Sequence, residues 1–76
     1  MKLSAAQSKF EENYLDYAEI RKSPGRISEY IVLLYGQDGR SFMLCYENDS
    51  VISSKEVEHL ILMLKQVGFR KAKIYF

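Results

Sequence analysis

The sequence is short of the residues that build metal and redox sites. Its 76 residues include one cysteine, one histidine and no tryptophan. Structural zinc sites use several cysteine or histidine ligands, so one chain cannot supply such a site from these residues. A pair of redox cysteines and a two-histidine metal motif are excluded for the same reason. We therefore expect the protein to use no metal and no cofactor.

The single cysteine, Cys45, also cannot form a disulfide within the chain. Secreted domains of this size usually carry several disulfides, and residues 1–7 lack the apolar stretch of a secretory signal. The apolar run Leu60–Leu64 is only five residues long, whereas a membrane span needs about 20. These observations predict a cytoplasmic protein that does not insert into a membrane.

The charges of the chain nearly cancel, because 11 basic and 10 acidic residues leave a net charge of +1. The charges alternate in sign along the chain, and residues 68–76 form a basic tail, since they contain Arg70, Lys71 and Lys73 and no acid. Proline and glycine are scarce, at one and four residues, and 47% of the residues are hydrophobic. This composition is typical of a globular chain, and its length is too short for two domains, so we expect a single domain over residues 1–76.

A capping box and a helical apolar stripe mark the N-terminal part of the chain. Ser4 and Gln7 have the spacing at which each side chain satisfies a backbone amide at the helix start, and apolar residues recur along one helical face. This pattern predicts a helix over residues 5–20. An alternative interpretation ends the helix near Asn13 and begins a strand at Tyr14, because tyrosine and isoleucine favour strands.

The C-terminal part carries similar signals. Ser53 to Glu56 forms a second capping box, and an apolar stripe with the helical period ends at Gly68, a residue suited to a helix C-cap. A helix is therefore predicted over residues 54–67. Residues 69–76 are predicted to form the last strand, because their side chains alternate with a period of two.

A β-hairpin is predicted in the middle of the chain, with strands at 27–35 and 41–47. The dipeptide Asp38-Gly39 between them is favoured in tight hairpin turns. The resulting element order is α-β-β-α-β. It predicts an α+β domain whose three-stranded sheet is built on the central hairpin, with the last strand antiparallel beside the first. The domain would have two layers, or three if each face of the sheet carries a helix.

Both faces of this hairpin are apolar. A turn with an even number of residues groups Ile31, Leu33 and Tyr35 with Phe42, Leu44 and Tyr46. The opposite face then consists of Tyr30, Val32, Leu34, Met43 and Cys45. A sheet with one solvated face alternates apolar and polar residues, so both faces of this sheet need to be covered.

The two faces can be covered in two ways. Either each face carries a helix, or both helices cover one face and another protein or a second copy covers the other. A chain of this size buries only about 60% of its unfolded surface, which makes three internal layers hard to fill.

We therefore predict a small non-enzymatic protein–protein interaction module, such as an inhibitor, adaptor or regulatory subunit. Its partner would be another protein or a second copy of the chain, in a homodimer. The predicted partner-binding residues are Tyr30, Val32, Leu34, Met43 and Cys45, with Leu62 at the periphery because it lies off the apolar stripe of the second helix.

A weak nucleic-acid-binding protein is the alternative prediction. Lys71, Lys73 and Tyr75 alternate on one face of the last strand, with Arg70 adjacent, and aromatic rings can stack on bases while lysines neutralise phosphate. Lysines on an edge strand also serve simply to prevent aggregation. We favour that simpler explanation because the net charge is only +1.

No catalytic residue and no small-molecule substrate are predicted. His59 follows Glu56 at the Glu-x-x-His spacing, but a di-metal site of that kind needs a second copy of the motif. Cys45 lies in the middle of a predicted strand, where a cysteine is usually a small buried hydrophobe rather than a nucleophile. The sequence contains neither a Gly-x-Ser-x-Gly nucleophile elbow nor a glycine-rich phosphate loop.

Overall fold

A computed structural model describes residues 1–76 as two helices and a mixed sheet of five strands. The α+β class predicted from the sequence is confirmed. The elements in chain order are α1 (Leu3–Glu11), β1 (Leu15–Lys22), β2 (Tyr30–Gly36), β3 (Ser41–Met43), β4 (Ser53–Ser54), α2 (Val57–Val67) and β5 (Lys73–Ile74).

The first helix is shorter than predicted, and the strand alternative is the correct one. α1 ends at Glu11, and Asn13 adopts a φ of 62°. The amide of Asn13 donates to the carbonyl of Phe10 and that of Tyr14 to the carbonyl of Lys9, each over 3.0 Å. This is a Schellman ending, in which a left-handed residue closes the helix. The prediction of a helix over 5–20 is wrong beyond Glu11 because the following residues form β1.

The second helix starts later than predicted. Ser53 and Ser54 pair with β2 as the short strand β4, so α2 begins at Val57 rather than at residue 54. Its end at Val67, followed by Gly68 with a φ of 132°, agrees with the predicted C-cap glycine. The hydroxyl of Ser54 accepts a hydrogen bond from the amide of Glu56 over 3.0 Å, just before the helix.

β1 lies inside the sheet, in the place that the sequence assigned to the last strand. The order is β3-β2-β1-β5. β4 pairs with the first two residues of β2, on the same edge as β3. β1 runs antiparallel to β2, with Ile20 opposite Val32, and parallel to β5, with Ile20 opposite Ile74. The predicted antiparallel pairing of the last strand with strand 27–35 is therefore wrong, because an additional strand separates them.

All three predicted strands are longer than the strands observed. Strand 27–35 begins only at Tyr30, since Ser28 has a φ of 70° in the preceding loop. Strand 41–47 is regular only over Ser41–Met43, and Cys45 continues it with isolated bridges. Strand 69–76 is reduced to Lys73–Ile74, where it pairs with β1.

The β2–β3 hairpin has an odd loop, which changes the faces of the sheet. The amide of Gly36 donates to the carbonyl of Arg40 over 2.8 Å, and Gly39 adopts a φ of 85°. Three residues therefore lie in the loop, a common hairpin form that places glycine in the left-handed region. Leu33 lies opposite Met43 and shares a face with it, whereas the predicted turn put Leu33 on the same face as Phe42. One extra loop residue moves every β3 side chain to the other face relative to β2.

Both helices pack on one face of the sheet, so the domain has two layers. This face and the helices share one core cluster, consisting of Ala6, Leu15, Ala18, Ile20, Val32, Leu34, Leu44, Ile52, Leu60, Leu64, Val67 and Phe69. We call the opposite side, which neither helix covers, the outer face. Alternation along the strands and the observed registers assign to it Tyr17, Glu19, Arg21, Ile31, Leu33, Tyr35, Met43, Lys73 and Tyr75.

Candidate functional site

A stacked pair of tyrosines lies near the centre of the outer face. Tyr17 on β1 is directly opposite Tyr35 on β2, and their rings lie 4.5 Å apart at an angle of 8°. A register shift between Leu15 and Tyr17 marks a β-bulge, and bulges re-aim side chains. The bulge explains why Leu15 enters the core while Tyr17, two residues later, is 41% exposed on the other face.

Glu19 lies beside this pair and is buried, with 5% exposure. One of its carboxylate oxygens accepts hydrogen bonds from Arg21 Nε over 2.8 Å and from the Tyr35 hydroxyl over 2.9 Å. The other oxygen accepts a longer bond of 3.4 Å from the Tyr75 hydroxyl. Burial of a carboxyl raises its pKa, but the bond from Arg21, with help from Tyr35, holds the pKa of Glu19 below its ordinary value. The ionised Glu19 therefore fixes the positions of three side chains on the outer face.

Two cations cover the rings at the β5 side of the face. The guanidinium carbon of Arg21 lies 4.4 Å from the centre of the Tyr75 ring, and Lys73 Nζ lies 5.9 Å from the centre of the Tyr17 ring. Both distances are within the range of cation–π attraction. These contacts hold positive charge against the aromatic cluster, so the rings are partly covered by cationic side chains.

The other half of the outer face is apolar. Met43 and Val51 are 40% and 42% exposed, and Leu33 is half-buried between them and the tyrosines. A groove of about 420 Å³ is lined by three apolar residues, Ile31, Met43 and Val51, together with Ser50, Ser53 and residues 23–26 of the β1–β2 loop. The outer face therefore offers a groove with apolar and polar walls next to an ordered, charged aromatic cluster.

The predicted partner-binding face is largely the core of the domain. Val32 and Leu34 are fully buried at 0% exposure under the helices, and Tyr30 packs against the same cluster. These three assignments are corrected, because the helices pack on the face of β2 that carries Val32 and Leu34, and the odd hairpin loop places Met43 on the opposite face. Of the hairpin residues in the prediction, Met43 lies on the outer face, and Cys45 contacts Met43.

Cys45 and Leu62, the other two predicted residues, lie in different parts of the fold. Cys45 is half-buried, and the N-terminal segment runs beside it, with the Cys45 amide donating to the carbonyl of Met1 and the Leu3 amide donating to the carbonyl of Cys45. Leu62 is 58% exposed on α2, in the helical layer and away from the outer face. Leu62 therefore does not share a patch with Met43, whereas Cys45 lies beside it, since the Cys45 thiol donates to the carbonyl of Met43 over 3.5 Å and Cys45 bridges Val51.

The basic residues of the alternative prediction do lie close together, and they have neighbours that sequence reasoning missed. Arg70, Lys71 and Lys73 are exposed, and Tyr75 is 42% exposed. Arg21, which contacts the Tyr75 ring, was not predicted to lie near them. The alternation of Tyr17, Glu19 and Arg21 with a period of two could have indicated this cluster, had the segment been interpreted as a strand.

Comparisons of the chain with protein-family models, with curated proteins and with solved structures give no match. Neither helix has the length and apolar character needed to cross a membrane. No group of three or more histidine, cysteine, aspartate or glutamate residues is placed to hold a metal ion.

Proposed function

We propose that this chain is a non-enzymatic protein–protein interaction module, such as an inhibitor, adaptor or regulatory subunit, that binds another protein through the outer face of its sheet. The supporting observation is the pair of exposed apolar side chains Met43 and Val51, which line a groove beside the Tyr17–Tyr35 pair on the one face that neither helix covers. An antiparallel sheet with a solvated face normally presents polar residues there. We place this function in the cytoplasm, on the sequence arguments given above.

The composition of the outer face suits such a role. Tyrosine, methionine and arginine are enriched at protein interfaces and supply most of their binding energy. The rings of Tyr35 and Tyr75 and the guanidinium of Arg21 are held by Glu19 before any partner arrives. Side chains that are already ordered lose little entropy on binding, so we expect this cluster to act as the anchor and the groove to accept an apolar side chain.

The experiment is capture of a protein partner from host lysate by the tagged chain, at about 150 mM salt, where charges more than about 8 Å apart are largely screened. Nuclease treatment removes partners that are held through nucleic acid. Met43→Glu places a charge in the groove, and Leu62→Glu is the matched control, since both residues are exposed leucine-sized side chains on opposite layers.

A stoichiometric partner that survives nuclease, binds the Leu62→Glu variant and is lost by Met43→Glu supports the proposal. Far-UV circular dichroism must first show that both variants are folded. If Met43→Glu retains the partner and Leu62→Glu loses it, the helical layer is the binding surface and the proposal is wrong.

A weak nucleic-acid-binding function is the second candidate, because one specific contact pattern favours it. Lys73 and Arg21 lie against Tyr17 and Tyr75 on the outer face, and such pairs can contact bases and phosphates together. The buried carboxylate of Glu19 between them opposes phosphate binding, which is why we place this candidate second. Loss of retention on an oligonucleotide column in the double variant Lys71→Glu, Lys73→Glu would support it, whereas unchanged retention would exclude these residues.

A further inference from the structure

One edge of the sheet has no partner strand. β5 is the last strand in the order and pairs only with β1. The amide of Tyr75 donates to the carbonyl of Ile20 over 2.8 Å. Because backbone groups of successive residues in a strand point to opposite edges, those of Ile74 point away from β1, as do those of Ala72 and Phe76. An unpaired edge can pair with a strand of another chain, and short length and lysines, both found in β5, oppose such pairing. Pairing at this edge therefore needs a further contact that outweighs them.

An apolar cleft lies beside this edge, on the helix side of the sheet. Its volume is about 200 Å³. Ile61 and Leu64 of α2 line one wall, and Phe69, Ala72 and Ile74 line the rest of its apolar surface, while Lys65, Arg70 and Lys71 complete the lining. An apolar cavity of about 150 Å³ with similar walls holds a benzene molecule. The cleft therefore has room for one phenyl ring.

The same edge also carries an exposed phenyl ring. The side chain of Phe76 is 86% exposed. Alternation along the strand places it on the same side as Ala72 and Ile74, the side that faces the cleft. A ring and a cleft of matching size thus lie on one edge, a few residues apart, which is the arrangement that a two-fold symmetric contact requires.

We propose that two copies of this chain pair through antiparallel β5 strands about a two-fold axis at Ile74, each copy inserting Phe76 into the cleft of the other. The outward backbone groups of the edge form the hydrogen-bonded pairs of such a ladder. Ile74 then lies opposite Ile74 of the second copy, and Ala72 lies opposite Phe76. This register brings the ring of one copy to Ala72, which lines the cleft of the other.

The lysines of the edge select this register. A two-fold axis at Lys73 would place two lysines directly opposite each other, and like charges in that position destabilise a strand pair. With the axis at Ile74, each Lys73 lies opposite Tyr75 of the second copy, where cation–π attraction is available. Arg70, Lys71 and Lys73 still repel across the axis, so the dimer is expected to tighten as salt screens them, from a Debye length of about 30 Å at 0.01 M to about 10 Å at 0.1 M.

Sedimentation velocity over a range of protein concentrations tests the pairing. Phe76→Ala removes the ring, and Ile27→Ala is the matched control, because Ile27 is 96% exposed in the loop before β2. We expect a reversible dimer in the wild type, a dissociation constant at least about tenfold higher in Phe76→Ala, and no change in Ile27→Ala. A wild type that stays monomeric up to about 1 mM, or a Phe76→Ala variant that dimerises as well as the control, overturns the proposal.

Disulfide trapping tests the register. In a Cys45→Ser background, Lys73→Cys and Tyr75→Cys are mixed in equal amounts under mild oxidation. Residues opposite each other in a non-hydrogen-bonded antiparallel pair have Cα atoms about 4.5 Å apart, within the range of about 4.4–6.8 Å that a disulfide needs. The mixture should form a cross-linked heterodimer faster than either variant forms a homodimer. Equal rates, or no heterodimer, contradict the axis at Ile74.

This self-association is independent of partner binding by the outer face. Met43→Glu should leave the sedimentation behaviour unchanged, and Phe76→Ala should leave the groove of Met43 intact. The two proposals can therefore fail separately.

Discussion

The hydroxyl of Tyr35 donates a hydrogen bond of 2.9 Å to the carboxylate of Glu19, from one central strand to the next. The two residues are not direct register partners, because Glu19 lies opposite Leu33 and Tyr35 opposite Tyr17. The bond is therefore diagonal, and it ties the stacked tyrosine pair to the only buried charge of the domain. Changes at Glu19 should consequently alter both stability and the order of the outer face.

The first prediction concerns acid stability. Because the pKa of Glu19 is lowered on folding from the ordinary value of 4.5, its contribution is present above that value and is lost as the pH falls through the lowered pKa. Glu19→Gln should reduce the free energy of unfolding at neutral pH by about 1–2 kcal/mol. Urea unfolding at about pH 7 and about pH 3 should show the difference from wild type shrinking in acid.

The exposed Glu11 on α1 provides the control for this series. Glu11→Gln should follow the wild type at both pH values. Some acid dependence will remain in Glu19→Gln, because hydrogen bonds also lower the pKa values of Asp38 and Glu47. A difference between wild type and Glu19→Gln that is as large in acid as at neutral pH would contradict the proposed role of the charge.

The second prediction concerns the tyrosine hydroxyl. Donation to Glu19 raises the pKa of Tyr35, and donation to Asp38 raises that of Tyr14. An alkaline titration followed by tyrosinate absorbance should therefore contain two late-ionising groups. Tyr35→Phe should remove one and Tyr14→Phe the other, while Tyr46→Phe should leave both. A titration in which Tyr35→Phe still has both late groups would mean that the bond to Glu19 does not persist in solution.

Features of this fold that have a local sequence signal could be predicted, whereas those decided by long-range strand pairing could not. Gly68 was correctly predicted to end the second helix, because a left-handed φ at that position has a clear sequence signal. Asn13 carries a weaker signal of the same kind, and the apolar residues of 14–20 satisfy helical and strand periods alike. Pairing with β2 along the whole of β1 resolves that ambiguity, and it depends on residues distant in the sequence.

The candidate site was harder to predict than the fold class, because it depends on the length of one hairpin loop. Gly36 and Arg40 close a loop of three residues where a two-residue turn at Asp38-Gly39 was expected. Each face of β2 therefore lies beside the opposite face of β3 from the one predicted, so Met43 shares a face with Leu33 and not with Leu34. The helices cover the Leu34 face, which leaves Leu33 and Met43 on the outer face. Composition could not decide between the two faces, because both are apolar.

The third prediction concerns Gly68. This residue adopts a φ of 132°, and a Cβ atom there would lie 2.6 Å from the ring of Phe10. Phe10 in turn packs edge-on against Phe69, with ring centres 4.9 Å apart. Gly68→Ala should therefore lower the free energy of unfolding by about 1–3 kcal/mol, as measured by urea unfolding.

Gly25→Ala is the matched control, because nothing lies within 4 Å of its added Cβ and its φ is not in the left-handed region. It should be neutral or slightly stabilising, since alanine restricts the unfolded chain. Equal effects of the two substitutions would mean that the α2 ending is not held by Phe10.

The last prediction distinguishes the two faces of the hairpin. Leu34 is fully buried, whereas Met43 is 40% exposed on the outer face. Leu34→Ala should cost about 2–5 kcal/mol, and Leu34→Glu should abolish cooperative folding, because it buries an unpaired carboxylate. Met43→Glu should change stability by about 0.5 kcal/mol or less. Thermal unfolding followed by far-UV circular dichroism measures all three, and a folded Leu34→Glu variant would mean that the core lies on the other face of β2.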